Sequence, residues 1–367
     1  MNLRAPNVLL ALLFGLMLPV QAKDDASASA RAWVGAMHEW AVPRYQRFAE
    51  RSQSLTSAID EACAAGPAPQ RATALQQQWV ELTQTWRQLE ALQLGATLQR
   101  RSARTIDFWP TRPNVIEQAA RMTADAPVSG PQSDDAMVRW GTAAKGMPAL
   151  EWLLFPESGK PLPLWNTPAQ CLYARRVARG VAMEAAALLD AWRAQAGRWA
   201  TAPEPEVNKA VSDTLNLLVG SCELLRGKKL QKGARVIALG GRESGVTFAF
   251  DSVRSGRSRA FLLAHFEALA QLLLGRKTNL PYVREGPAMG LTDLLVAQGH
   301  ARQAAPLAAA VQKAHKALSA LPADPQQWTV ARTEAASQSL RDLRQLIDPP
   351  IAQALHVTIT FTDADGD

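Results

Sequence analysis

The chain has 367 residues, with 40 Lys or Arg against 33 Asp or Glu, so its formal net charge is +7. This length suffices for two domains, or for one large helical assembly with a buried core. The basic residues are spread along the chain and form no long block, which excludes a typical nucleic-acid-binding protein and leaves weak affinity for anionic polymers as an alternative.

Residues 1–22 have the features of a secretory signal peptide. Arg4 precedes an apolar stretch from Val8 to Val20, and small residues lie at the −3 and −1 positions before Lys23. The stretch is too short to cross a bilayer comfortably, so a membrane-anchoring first helix is the weaker alternative. No later segment has 18 apolar residues without a charge. We therefore expect a periplasmic protein that has no membrane span after signal cleavage.

The mature sequence is rich in Ala, Leu, Gln and Arg and has few runs of β-branched residues, which predicts an all-α protein. We expect helices over residues 28–62, 72–99, 137–155, 169–200, 206–225, 258–274, 290–321 and 328–346. Three of these helices carry pairs of tryptophans seven residues apart: Trp33 and Trp40, Trp79 and Trp86, Trp192 and Trp199. Each pair falls on one helix face, which favours packing in a core over stacking on a ligand.

Loops rich in Pro, Gly and Ser interrupt the helical pattern at residues 109–112, 126–133, 156–168 and 239–257. The last is a glycine-rich loop before a helix, which could bind an anion. It lacks Walker or dinucleotide-binding spacing, so a plain connection is the stronger interpretation. The prolines Pro203 and Pro205 predict a boundary between an N-terminal helical bundle, 23–203, and a C-terminal one, 204–367.

Familiar catalytic and zinc-binding motifs are missing from the sequence. None of the five histidines forms an H-E-x-x-H motif, and no G-x-S-x-G motif occurs. The cysteines Cys63, Cys171 and Cys222 match no zinc spacing. An oxidising compartment would permit one disulfide among them, but their spacing does not select the pair.

The segment from Ile106 to Pro113 is the first candidate for a site. It combines Asp107, Trp109 and Arg112 with a proline that breaks the backbone pattern. Polar groups on irregular backbone beside an aromatic wall suit the lining of a pocket. The alternative is a capped turn in which Asp107 and Arg112 pair with each other.

The segment from Gly146 to Phe155 is the second candidate, because it places Glu151 beside Trp152 in an otherwise apolar run. A buried carboxylate needs an ion pair, a hydrogen-bond network or a metal. Glu151 is therefore either a structural anchor or part of a site.

At these residues the chain resembles the imelysin family, in particular its periplasmic imelysin-like branch. The resemblance extends over the mature chain and includes Trp79 and Trp86, Ile106–Pro110, Gly146–Phe155 and Asn216–Arg226. It implies an all-α fold of two four-helix-bundle-like halves packed together, with a candidate site in the cleft between them. Members of the family are exported and are often associated with iron uptake or iron-regulated expression.

The resemblance also implies a peptidase motif, Gly-x-His-x-x-Glu, which here runs from Gly146 to Glu151. Pro148 takes the place of the histidine. Proline offers no side-chain donor, acceptor or metal ligand, so peptidase activity through this motif is not expected.

We therefore predict a non-catalytic binding component linked to the uptake of iron or of another ligand, with membrane components of iron uptake as partners. The predicted ligand-binding residues are Asp107, Trp109, Arg112, Gly146, Glu151 and Trp152. Glu151 and Asp107 would bind iron or another divalent cation, since hard cations prefer oxygen ligands. The alternatives are a peptidase of the imelysin type and a structural cell-surface interaction protein in which Glu151 only caps a helix or pairs with Arg112.

Overall fold

The structure is a computed structural model that describes residues 18–124, 140–156, 160, 162–239 and 250–360. Most of the predicted signal peptide and of the loops at 126–133 and 239–257 lies outside the described residues. The described residues form helices and no strands, which confirms the all-α prediction. None of the helices searched in these ranges combines the length and the apolar character that a membrane crossing requires.

The N-terminal half consists of one long helix with two further long helices packed along it, and several short helices. Its helices are α1 (Leu18–Ala65), α2 (Pro69–Leu89), α3 (Ala96–Gln99), α4 (Ser102–Ile106), α5 (Pro113–Ala124), α6 (Gly146–Leu154) and α7 (Pro168–Arg193). Helix α1 packs along α7 and α2, while α5 and α6 pack against α7. A 3-10 turn, Glu90–Leu92, directly follows α2.

The C-terminal half is built around four longer helices. Its helices are α8 (Glu204–Glu223), α9 (Lys232–Ala238), α10 (Ser258–Leu274), α11 (Leu291–Ala297), α12 (Ala301–Ala304), α13 (Leu307–Ser319), α14 (Val330–Leu346) and α15 (Ala352–Ala354). A π-helix, Leu224–Gln231, joins α8 to α9, and a second, Ile347–Ile351, follows α14. Helix α13 packs on α14 and α10.

Helix α10 joins the two halves. It is apolar around most of its circumference, as in the run from Phe261 to Leu274, and 13 of its 17 residues are buried. A helix that is apolar on every side must be enclosed by other helices. Helix α10 therefore packs against α13 of its own half and against α2 of the N-terminal half, and one continuous apolar core includes residues of both.

Cys63 and Cys171 form a disulfide between the end of α1 and the start of α7, with their Cα atoms 5.8 Å apart. Cys222 is a buried free thiol on α8. The structure thus selects one of the pairings that the sequence left open.

Several predicted helices have different ends or are broken. The helix expected over 290–321 is three helices, because Gly299 has a positive φ of 82° and Pro306 begins a new turn. The helix expected over 72–99 ends at Leu89, and Gly95 adopts a positive φ of 54° further on. Of the six paired tryptophans, five are buried, as expected for core residues, while Trp199 is partly exposed.

Candidate functional site

A buried ionic cluster lies between the two halves, and we define it as Arg87, Glu90, Asp107, Lys229 and Asp251. Arg87 lies at its centre and is 1% exposed. Its Nη1 donates to Glu90 Oε2 at 3.0 Å, its Nη2 lies 2.6 Å from Asp251 Oδ2, and it also pairs with Asp107. Lys229 Nζ donates to Glu90 Oε2 at 2.9 Å and to Asp251 Oδ2 at 3.1 Å. Two cationic side chains thus neutralise part of the charge of three carboxylates.

Five separate elements bring the cluster together. Arg87 lies in the last turn of α2, where the partial negative charge of the helix end favours a cation. Glu90 follows in the 3-10 turn, and Asp107 directly follows α4. Lys229 projects from the π-helix, a local widening of the helix that often occurs at functional sites. Asp251 precedes α10.

The electrostatic balance of the cluster differs from one carboxyl group to the next. Burial opposes ionisation of Glu90, but Arg87 and Lys229 outweigh it and hold the pKa of Glu90 well below its ordinary value. The same two cations lower the pKa of Asp251 against the effect of burial. Burial raises the pKa of Asp107 despite Arg87, because the charges of Asp251 and Glu90 add to the effect. Asp107 is therefore the group in the cluster that most readily takes up a proton.

Ser221 and His265 support the cluster from behind. Ser221 Oγ lies 2.7 Å from His265 Nε2, and His265 Nδ1 lies 3.5 Å from Glu90 Oε2. Burial lowers the pKa of His265, so the imidazole is neutral at pH 7. The order Ser, His, Glu is that of a catalytic triad, but exposures of 4% for Ser221 and 0% for His265 leave a substrate no access. We interpret the pair as structural support for Glu90.

Glu151 lies on α6 and is 5% exposed. Its Oε1 accepts a hydrogen bond from the backbone N–H of Ser255 at 2.9 Å. Burial raises the pKa of Glu151 to about 7, although the hydrogen bonds from Ser255 oppose the shift. At neutral pH this carboxyl group therefore exists in both protonation states.

Arg112 pairs with neither of the predicted acids in the structure. Its guanidinium lies 5.5 Å from the centre of the Phe108 ring, whereas Asp107 pairs with Arg87. Trp109 lies under the ammonium group of Lys232, at 5.0 Å from the ring centre. Asp107 thus belongs to the ionic cluster, whereas Trp109 is half-buried and Arg112 is exposed, and neither contacts the cluster in the described contacts.

Gly146 has a structural role that explains its place in the motif. Its φ is +74°, and a Cβ atom on it would lie 2.2 Å from the carbonyl oxygen of Ile106. Only glycine permits this close contact between the start of α6 and the end of α4. Gly146 therefore positions α6, which carries Glu151, against the segment that carries Asp107.

A cavity of about 790 Å³ adjoins this region, and we call it the side cavity. Helix α5, the end of α6 and the start of α7 enclose it, and Trp152 and Arg254 contribute to its wall. Trp152 is the member of the predicted site that lines it. Among the described residues, the charged lining groups are Arg121, Lys160 and Arg254, with Glu117 as the acid, so this part of the lining carries more positive than negative groups.

Residues 251–255 connect the side cavity to the ionic cluster. Asp251 belongs to the cluster, Arg254 lines the cavity, and Ser255 binds Glu151. Arg254 Nε donates to the carbonyl oxygen of Phe155 at 2.9 Å, and its guanidinium lies 5.8 Å from the centre of the Trp152 ring. A ligand that moves Arg254 would therefore also move the adjacent Ser255, whose backbone N–H donates to Glu151.

A cation held by protein ligands alone does not fit these residues well. Within the described residues, no group of three or more His, Cys, Asp or Glu side chains is arranged to hold a metal ion. Asp107 is paired with Arg87, whose guanidinium lies among the carboxylates where a metal ion would have to bind. The iron or divalent cation predicted at Glu151 and Asp107 stays a prediction.

Sequence reasoning missed Arg87, Glu90, Lys229 and Asp251 as members of the site. Arg87 and Glu90 look like ordinary polar residues of an amphipathic helix. One weak signal is available in the sequence: Arg87 directly follows Trp86, whose spacing from Trp79 predicts a core position.

The imelysin family model matches residues 41–352. An imelysin-like protein from Psychrobacter arcticum 273-4 has a similar structure, with a TM-score of 0.71 and 18% sequence identity over 91% of this chain and 98% of that one. A protein from Parabacteroides distasonis ATCC 8503, described as an iron-regulated protein A precursor, gives a TM-score of 0.72 and 16% identity over 92% and 95%. No curated protein matches the chain. Since the family model spans most of the chain, the chain belongs to the imelysin family.

Proposed function

We propose that this chain is a non-catalytic binding protein that takes part in ligand uptake, and that the side cavity holds the ligand. The observation that carries the proposal is the cavity of about 790 Å³ with Trp152 and Arg254 in its wall. Its volume lies in the range of roughly 300–1,000 Å³ typical of small-molecule sites. An aromatic wall together with a few charged groups is the usual composition of such sites.

The surroundings of the reactive side chains favour binding over peptidase activity. Pro148 is buried on α6 in place of the motif histidine. Ser221 and its partner His265 are enclosed by helix packing. Burial raises the pKa of Cys222 to about 12, so this thiol is protonated at neutral pH and is a poor nucleophile.

The charge of the cavity lining favours an anionic ligand. In the part of the lining that the structure describes, three cationic residues, Arg121, Lys160 and Arg254, accompany one acid, Glu117. We propose that the ligand is iron in a small anionic organic complex, and that the bare ion is not bound. The iron link is supported by the description of one structural neighbour as an iron-regulated protein, a statement about that protein.

The cellular setting is part of the proposal. A periplasmic location is supported by the signal-peptide features of residues 1–22 and by the disulfide between Cys63 and Cys171, since disulfides persist mainly in oxidising compartments. The partners would be membrane components of iron uptake, which receive the loaded protein.

Titration with ferric citrate, followed by calorimetry and by tryptophan fluorescence, tests the proposal. Wild-type protein should bind ferric citrate saturably. Arg254→Gln should weaken binding by about tenfold, and Arg121→Gln by a smaller factor, because each removes one cationic lining residue. The Arg121 side chain is 73% exposed, so its substitution should not disturb folding. Arg257→Gln, at an exposed position outside the lining, is the matched control.

Four outcomes would overturn the proposal. No saturable binding, or equal affinity in Arg254→Gln, Arg121→Gln and the control, would remove the side cavity as the site. Binding of ferrous iron alone that is lost in Glu151→Gln would instead establish the predicted cation site. Sustained cleavage of a denatured protein substrate that is abolished in Glu151→Ala would establish the peptidase alternative.

A further inference from the structure

A second, smaller cavity of about 110 Å³ lies where α1, α7 and α8 meet, and we call it the tryptophan pocket. Its wall includes His38, Trp192, Gln195, Trp199, Ala210 and Asp213. It shares no lining residue with the side cavity. Inferences about it are therefore independent of the proposed function.

Aromatic rings form much of the wall. Trp192 stacks on Tyr45 with 5.0 Å between ring centres and an interplanar angle of 25°. The His38 ring centre lies 5.2 Å from that of Trp192, with an interplanar angle of 34°. Trp199 packs beside α1, where a Cβ atom on Gly35 would lie 3.9 Å from the Trp199 Cβ. These rigid flat surfaces favour a planar ligand.

The pocket also contains unused hydrogen-bonding capacity. The Nε1 atoms of Trp199 and Trp192 are both buried donors for which the described residues offer no acceptor. Buried polar groups in folded proteins are nearly always bonded to protein, water or a ligand. His38 Nε2 lies 2.7 Å from the carbonyl oxygen of Trp192, which only accepts, so this nitrogen carries the hydrogen. Burial lowers the pKa of His38, which keeps the ring neutral and leaves Nδ1 as an acceptor.

The charge of the pocket excludes most ionic ligands. Asp213 is the lining residue with a formal charge, and Lys209 Nζ pairs with it at 2.6 Å. The remaining lining is neutral, so neither a cation nor an anion gains a net Coulomb attraction there.

We infer that the tryptophan pocket binds a small uncharged heteroaromatic ring that has one hydrogen-bond acceptor and one donor. The acceptor would take the N–H of Trp199, and the donor would bind Nδ1 of His38. The volume agrees with this size, because a closed cavity of about 150 Å³ holds benzene and a five-membered ring is smaller.

Pyrazole is a suitable probe, since it is neutral at physiological pH and has adjacent donor and acceptor nitrogens. We expect saturable binding by calorimetry and by NMR shifts of the tryptophan indole signals. Trp199→Phe keeps a ring but removes the donor and should weaken binding about tenfold, as should N-methylation of the probe, which removes its donor. Ala210→Leu should fill the pocket and abolish binding, whereas Ala186→Leu at an exposed position on α7 should leave it unchanged.

Circular dichroism of each variant establishes that it is folded before its binding is measured. The inference is wrong if pyrazole does not bind saturably and a crystal soaked in it shows only water in the pocket. It is also wrong if folded Trp199→Phe and Ala210→Leu bind pyrazole as tightly as wild type does.

Discussion

Replacement of Arg87 by methionine would test the ionic cluster most severely. Arg87 is 1% exposed and contacts three carboxylates, Glu90, Asp107 and Asp251. With all groups ionised, two cations and three acids give the cluster a net charge of −1, and loss of Arg87 makes it −2. Leaving buried charges without their partner typically costs about 3–5 kcal/mol. We expect a loss of that size in the free energy of unfolding, which for a typical domain is roughly 5–15 kcal/mol in total.

The assay is guanidinium unfolding followed by circular dichroism. Arg47→Met, on an exposed position of α1, should change stability by less than about 0.5 kcal/mol. The double variant Arg87→Met with Asp107→Asn restores the net charge to −1, so it should be more stable than the single variant. The loss in the free energy of unfolding caused by Arg87→Met should also be smaller at pH 5 than at pH 8. Without Arg87, the buried acids of the cluster bind protons more readily in the folded than in the unfolded state, so low pH stabilises the folded variant. A loss of under about 1 kcal/mol, or a double variant no more stable than the single one, would refute this description of the cluster.

Three further predictions concern single features of the structure. The raised pKa of Glu151, about 7 against 4.5, means that its neutral form stabilises the fold below pH 4.5 and that this contribution is lost as the pH rises through 7. Between pH 5 and pH 8, the free energy of unfolding of Glu151→Gln should therefore rise relative to that of wild type by about 2–3 kcal/mol. A difference between the two proteins that does not change with pH would contradict the raised pKa. The disulfide between Cys63 and Cys171 closes a loop across 108 positions, so replacing both cysteines with serine should lower the free energy of unfolding by about 2–4 kcal/mol, and reductant should have no further effect on that variant. Gly146→Ala should lower the melting temperature far more than Gly66→Ala. Both glycines have positive φ, but only at Gly146 would the added Cβ contact backbone, that of Ile106. Equal shifts in melting temperature would disprove the role of that contact.

The fold could be read from the sequence because its signals are local. Helical periodicity, tryptophan spacing and the order of motifs along the chain all lie within short windows, and they identified the all-α class and the family. Breaks at single residues were harder to predict: Gly299 interrupts a segment whose apolar pattern continues on both sides. The positive φ of such a glycine depends on how the neighbouring helices pack.

The candidate site could be predicted only in part, because its contacts are distant in sequence. Asp107 is recognisable from its own segment, but its partner Arg87 is 20 positions away in α2. Glu151 was recognised, but its partner Ser255 is 104 positions away. One sequence shows that a buried carboxylate needs a partner without showing which distant residue supplies it. Arg87 itself carries no sign of burial in the sequence, because an arginine on an amphipathic helix usually faces solvent.

We propose the side cavity, and not the buried carboxylates, as the place where the ligand binds. A crystal structure of the protein soaked with ferric citrate, with data collected at the iron absorption edge, tests it most directly. We expect an anomalous iron peak in the side cavity, with citrate in contact with Arg254 and beside Trp152. An iron peak bound directly by Glu151 or Asp107, with Arg87 displaced from the carboxylates, would contradict it.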